Sequence, residues 1–374
     1  MPRPRATAVA AVLLAAVSAV AVGVSLRASN DRLLGQIGGR PSALLQPAAD
    51  SRPVAELAGV TGWVNSAPLT FAELGARRRV VLVDFWTYTC INCRRTVPFL
   101  RRLHDAYADR GLTVIGVHSP EFDFEKIPDN VVRAVEEQGI TWPVAEDPNH
   151  DVWDAFGNQY WPAKYLVDAE GRLRGQHIGE GGEVELEAAV RELLADAGHD
   201  PGPPLGESPD AAERPGLAGD RITPELYLGA QRGAPYYAPP GPVPPGVIAS
   251  REPRPGERDQ VRLGGRWRGG IEYVATADAG ARLDLAFRAR DVYLLAAPER
   301  GEAAVEVEVR LEGAPVPGDR RGRDLELTAD GRTVLRVDTD DLAHLLTGPA
   351  VADGELTLVA VGRGARLFTF TFGA

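Results

Sequence analysis

Residues 81–98 read VLVDFWTYTCINCRRTVP, and they contain both cysteines of the 374-residue chain, Cys90 and Cys93. The β-branched run within residues 77–86 has the pattern of a strand buried on both faces. From Cys93 to Arg110, Val97, Leu100, Leu103 and Tyr107 recur at helical spacing, and Gly111 closes that helix. C-I-N-C therefore falls where a buried strand passes into a helix. The free N–H groups and dipole at a helix N-terminus favour a thiolate. Residues three apart share a helix face, so the two sulfurs can meet. The first cysteine can attack a disulfide, and the second can resolve the mixed disulfide that results. A zinc site would need two further ligands, and His104, His118, His150 and His177 show no ligand-like spacing.

Working outward, LTVIGV (112–117) predicts a second buried strand and residues 131–139 a helix. AKYLVD (163–168) turns through Ala169-Glu170-Gly171 into RLRGQHIG (172–179), and residues 183–197 form a closing helix. The order βαβαββα predicts an α/β domain with a mixed sheet over residues 53–198. Residues 199–220 read as a linker. Over 221–374 the texture changes to short segments: ARLDLAFRA (281–289), VYLLAA (292–297), AVEVEVRLEG (304–313), GELTLVAV (354–361) and ARLFTFTF (365–372). Their spacing predicts an all-β sandwich. The Pro-rich stretch 234–256 reads as a loop.

At the amino end, residues 6–26 form an uncharged run of 21, preceded by Arg3 and Arg5. About 20 apolar residues span a bilayer. Residues 1–30 are therefore expected to be a single-pass anchor with a cytoplasmic N-terminus, or a signal peptide cut near Ala19-Val20-Ala21. Residues 31–52 read as a tether. Either way the rest is expected on the extracytoplasmic side of the membrane. The net charge of −11 argues against a nucleic-acid partner.

Asp84 lies six residues before Cys90 and Pro98 five after Cys93, Trp86 leads into the motif, and Trp161-Pro162 stands before AKYLVD. In these features the chain resembles the thioredoxin superfamily. DFWTYTCINCRRT, VIGVHSPEFDFE, NQYWPAKYLVDAEGRLR and HIGEG narrow the likeness to the TlpA-like reductases and the exported part of DipZ-type cytochrome c biogenesis proteins. TPELYLG (223–229), GRWRGG (265–270), ARDVYLL (289–295) and FTFTFG (368–373) extend it past the linker.

The resemblance implies a thiol-disulfide oxidoreductase whose only cofactor is its redox-active Cys90-Cys93 disulfide. Cys90 is then the nucleophile and Cys93 the resolving thiol. Asp84 is a buried acid that accepts the Cys93 proton, or else a strand-end acid bonded to backbone. Pro162 is a cis-proline opposite the cysteines. Trp86, Tyr88 and Trp161 are candidates for an apolar rim that receives substrate, with core packing the competing role of Trp86. Glu121 and His118 are secondary candidates at the site edge. Exported protein thiols or disulfides, apocytochrome c among them, are the implied partners, with electrons from a separate membrane donor.

The second domain is implied to be a jelly roll resembling carbohydrate-binding modules. Trp267, Tyr273 or Tyr293 would stack on envelope glycan or else pack in the core. Thr96 stands where TlpA-like reductases often carry a Glu, and Glu183 where DipZ-like sequences have an aromatic. Ile91-Asn92 leaves the direction of electron flow open, so oxidase and isomerase stay as alternatives. Thr87-x-x-Cys90 raises a peroxidase reading, although Val83 replaces the proline of that motif. A tethered binding module with a secondary redox domain is the remaining alternative.

Overall fold

The computed structural model describes residues 42–206, 221–238, 241–252, 257–301 and 304–374. The expected anchor or signal peptide, the start of the tether and most of the linker lie outside the described residues. Among the described residues, no helix is long and apolar enough to cross a membrane.

The first domain runs β1 (Arg52–Pro53), β2 (Gly62–Val64), α1 (Phe71–Ala76), β3 (Val80–Trp86), α2 (Ile91–Tyr107), β4 (Leu112–His118), α3 (Pro128–Glu137), β5 (Val144–Glu146), α4 (Asp151–Phe156), β6 (Ala163–Val167), β7 (Arg172–Ile178) and α5 (Glu183–Asp196). Its sheet has the order β1-β7-β6-β3-β4-β5-β2. β3 pairs parallel with β4 and antiparallel with β6, which is the mixed sheet expected. β1, β2, β5, α1 and α4 add to the predicted order. They are too short to show a period, although Thr70 caps α1 by accepting from the Glu73 N–H, a T-x-x-E signal present in the sequence.

The domain also reaches beyond its expected ends. Ser42 N–H donates to Glu192 at 2.7 Å and Gln46 N–H to the Arg174 carbonyl at 2.6 Å, so the expected tether lies on the domain from Ser42 onward. Leu205 N–H donates to Glu187 at 2.8 Å, which folds the start of the linker back in the same way.

β3 explains the depth of the site. Alternate residues of a strand face opposite sides. Val81, Val83 and Phe85 enter the core beneath α1 and α4. Val80, Leu82 and Trp86 enter the other core, which α2 covers with Cys93, Leu100 and Leu103. Asp84 has the parity of the second set, so the strand carries one carboxyl into the layer under the active-site helix.

The second domain comprises β8 (Leu226–Tyr227), β9 (Ile248–Arg251), β10 (Val261–Gly269), β11 (Val274–Thr276), β12 (Arg282–Ala289), β13 (Asp291–Pro298), β14 (Val305–Leu311), β15 (Ala314–Pro315), β16 (Leu325–Leu327), β17 (Thr333–Val337), β18 (Asp341–Leu346), β19 (Ala352–Ala360) and β20 (Ala365–Gly373). Two antiparallel sheets, β16-β17-β14-β19-β12-β10 and β10-β11-β20-β13-β18, share β10 and enclose one core, as a sandwich does. The Pro-rich stretch is partly built into it, because it contains β9.

β13 and β20 join the domains. Val292, Leu294 and Ala296 face the sandwich core, while Tyr293, Leu295 and Ala297 face the core of the first domain. β20 does the same with a break in register. Leu295 pairs with Thr369 and Ala296 with Leu367, so Phe368 is an extra residue, a β-bulge. A bulge re-aims side chains. Here Phe368 turns outward against Phe122 and Phe124, with ring centroids 5.5 and 5.0 Å away. Leu367, Phe370 and Phe372 stay inward.

Candidate active site

Cys90 is the N-cap of α2. Its Sγ accepts from the Cys93 N–H at 3.3 Å, taking the place that a serine or aspartate oxygen usually fills. Cys90 is half-buried and Cys93 is 1% exposed. Both thiols are free. Burial, above all, pushes the Cys93 thiol well above its ordinary range, and the adjacent Cys90 and the Asp84 charge add to this. Thr96 Oγ1 donates to the Cys93 carbonyl at 2.9 Å, so the residue standing where relatives carry Glu serves the helix backbone.

Asp84 is 4% exposed and is pushed up to about 6, because burial outweighs the nearby Lys164. Lys164 Nζ lies 3.7 Å from Asp84 Oδ1, an ion pair too long for a hydrogen bond. That Oδ1 has no hydrogen-bond partner, and Lys164 also donates to the Gly179 carbonyl at 3.4 Å. Lys164 was not foreseen. Its signal is a single cation in the otherwise apolar strand AKYLV, in register with Asp84. Glu125 was also missed. It is fully buried, accepts from the Thr89 hydroxyl and receives the N–H groups of Glu121 and Phe122 at 2.6 and 3.0 Å. Burial raises its carboxyl as well. It ties the loop after β4 to the residue just before Cys90.

Three expected site residues belong elsewhere. Trp86 (2% exposed) and Tyr88 (1%) do not form a rim. The parity of β3 sends Trp86 under α2, edge-on to His118, and Tyr88 stacks on His118 at 5.5 Å. His118 is buried with them, and desolvation drives its imidazole down to about 3, so it stays neutral. It lies 3.4 Å from Thr87 Oγ1 and does not line the cleft around Cys90. Trp161 does line that cleft. Its Nε1 donates to the Ser119 carbonyl at 3.0 Å and its ring leans on Trp153 at 4.2 Å. The Trp161–Pro162 peptide bond is cis.

The cleft is about 270 Å³ and has a wall from each domain. Thr89, Cys90, Asn92, Glu121 and Trp161 line one side, and Glu225, Tyr227, Arg232, Thr369 and Thr371 the other. Glu121 Oε1 joins them, accepting from Tyr227 Oη at 2.9 Å and Arg232 Nη1 at 2.7 Å. Arg94 pairs with Asp341 of β18, and the Arg95 guanidinium sits 5.9 Å from the Tyr293 ring centre. The two arginines that follow Cys93 thus hold the second domain. No residue of this second wall was expected in the site, because its pairings cross about a hundred residues of sequence.

The aromatics expected to stack on sugar are occupied. Trp267 is 1% exposed and donates to the Gly264 carbonyl at 2.9 Å. Tyr293 is buried and stacked on His344 at 4.5 Å. Tyr273 packs against Phe368 at 5.4 Å under the Arg366 guanidinium. These are packing roles.

Residues 60–176 match the family model described as AhpC/TSA family, and residues 223–373 match the one described as thioredoxin like C-terminal domain. The chain is 35% identical over 326 residues to Protein DipZ of Mycobacterium tuberculosis, covering 85% of this chain and 42% of that protein. It thus spans less than half of DipZ. It is 32% identical over 145 residues to Thiol-disulfide oxidoreductase YkuV of Bacillus subtilis, covering 39% of this chain and 96% of that protein. A solved thiol-disulfide isomerase from Corynebacterium glutamicum is 26% identical with a TM-score of 0.36, over 39% of this chain and 98% of that one. Because the chain covers nearly the whole of YkuV at 32% identity, it belongs to the thioredoxin-like thiol-disulfide oxidoreductases.

Proposed function

We propose that the protein reduces disulfides of proteins outside the cytoplasm through the Cys90-Cys93 dithiol, with apocytochrome c among its substrates. The observation that carries this reading is the unequal exposure of the two thiols. Cys90 opens into the cleft while Cys93 is buried behind it. The Cys90 thiolate attacks a substrate sulfur. The substrate S–S bond breaks, a Cys90–substrate disulfide forms, and one substrate thiolate leaves and takes up a proton. The Asp84 carboxylate takes the Cys93 proton. The Cys93 thiolate then attacks Cys90 Sγ, the second substrate sulfur leaves as a thiolate and takes up a proton, and a Cys90-Cys93 disulfide remains. A membrane dithiol donor reduces that disulfide and is itself oxidised.

The resemblance to TlpA-like reductases supports the reductive direction, and the apolar run 6–26 supports an extracytoplasmic site with a single-pass anchor. Thr87 is fully buried with its hydroxyl toward His118, an arrangement that favours the dithiol reading over a peroxidase. The test is the equilibrium potential of the dithiol against glutathione. A value near thioredoxin's, about −270 mV, is expected, and one near −120 mV, that of a strong oxidant, would overturn the reductive reading.

A further inference from the structure

The hydrogens in the second wall of the cleft can be counted. Tyr227 Oη lies 2.9 Å from Glu121 Oε1 and 2.9 Å from Glu225 Oε2. A phenol has one hydrogen to donate, so it can serve only one of these oxygens. The other contact needs a hydrogen from a carboxyl. Glu121 is the ion-paired carboxylate, with Arg232 Nη1 at 2.7 Å. The contacts at Glu225 are hydroxyls: besides Tyr227, Thr371 at 3.1 Å and Thr369 at 3.4 Å. The order that satisfies both Tyr227 contacts runs from the Glu225 carboxylic acid to Tyr227, then to the Glu121 carboxylate beside Arg232. Burial, and next the Glu121 charge, push the Glu225 carboxyl up, in keeping with that count.

We propose that Glu225, carried by the second domain, holds a proton in the Cys90 cleft and delivers it, directly or through Tyr227, to the thiolate that leaves when Cys90 attacks a disulfide. An alkyl thiolate is a poor leaving group, since its conjugate thiol has a pKa of about 8.5, and a positioned acid offsets this. The step balances. The Glu225 acid and the leaving thiolate become a Glu225 carboxylate and a free thiol, and water restores the proton after release. The inference rests on the dithiol reading above.

The experiment uses the pre-reduced full-length protein and two disulfides. Oxidised glutathione loses an alkyl thiolate. Dithiobis(nitrobenzoate) loses an aromatic thiolate that needs no proton. Glu225→Gln keeps a donor for Tyr227 but has no acid proton. Its rate with oxidised glutathione is expected to fall about 100-fold, with the aromatic disulfide changed less than twofold. Equal losses on both disulfides, or no loss on either, would overturn the proposal.

A second variant covers the case in which Glu225→Gln fails to fold. In Glu121→Gln the charge facing Glu225 is gone, while Tyr227, Arg232, Thr369 and Thr371 remain. Glu225 then loses its proton at lower pH. The pH above which the glutathione rate falls relative to the aromatic rate is expected to move down, and an unmoved profile would overturn the proposal. If the unaltered protein reduces neither disulfide, the functional reading itself fails. If it reduces both and Glu225→Gln matches it, only this inference does.

Discussion

The two walls of the cleft are built differently. The first domain supplies the reacting sulfurs and buries what serves them, Asp84 and Lys164, in a core beneath α2. The second domain supplies no sulfur. It offers hydroxyls, carboxyls and a guanidinium, aimed by a bulge in β20 and by the strand β8. In the proposed chemistry the first wall holds the sulfurs and the Asp84 base, and the second holds the Glu225 acid that faces the leaving thiolate. In both, the placement is paid for by apolar burial behind the polar groups: Leu100 and Leu103 under α2, and Phe368 against Phe122 and Phe124 under β20.

The sharpest break between the walls is at Cys90. Cys90→Ser is expected to remove disulfide reduction by at least about 1,000-fold, since the nucleophile itself is lost, with the thermal midpoint nearly unchanged. Comparable activity in the variant would move the chemistry away from the first wall. Next in size is Phe368→Ala. Removing a buried phenylalanine costs about 3–5 kcal/mol, and the cost should appear in urea unfolding as the two domains separating. A loss below about 1 kcal/mol would mean that the bulge does not hold the walls together.

The third concerns the base. The Asp84 carboxyl is protonated below about 6 and becomes a base only above it. Resolution of the mixed disulfide should therefore rise with pH through about 6 and level off. Asp84→Asn should slow resolution about 100-fold and abolish that limb. Lys164→Met removes the cation beside this buried acid, so the limb should move to higher pH. Stopped-flow of the resolving step across pH reads both. The smallest effect is at the rim. Arg94 pairs with a half-exposed Asp341, so Asp341→Asn should cost no more than about 1 kcal/mol in urea unfolding.

How far the sequence reaches can be seen at particular residues. The strand–helix junction and the C-I-N-C pair are local features that local pattern located, whereas Asp84 and Trp161-Pro162 stood out through the resemblance to the thioredoxin superfamily. Trp86 and Tyr88 look like site residues because they precede the cysteines in sequence, and His118 because it ends the neighbouring strand β4. Which face of β3 and β4 the helix covers decides their burial, and spacing does not state that. The second wall depends on contacts such as Glu121–Tyr227, 106 residues apart, and on one extra residue at Phe368. A trace was present all the same. VYLLAA is apolar without a break, although an antiparallel strand with one wet face should alternate. The unbroken run reflects cover on both faces, one of them by the first domain.

The proposed chemistry turns on Cys90 attacking and Cys93 resolving. It is tested most directly by mass mapping of the adducts formed when full-length Cys93→Ser and Cys90→Ser proteins meet a disulfide-bonded protein substrate. A stable mixed disulfide at Cys90 of the Cys93→Ser protein, and none at Cys93 of the Cys90→Ser protein, is the predicted result. An adduct at Cys93, or no adduct in either protein, would contradict it.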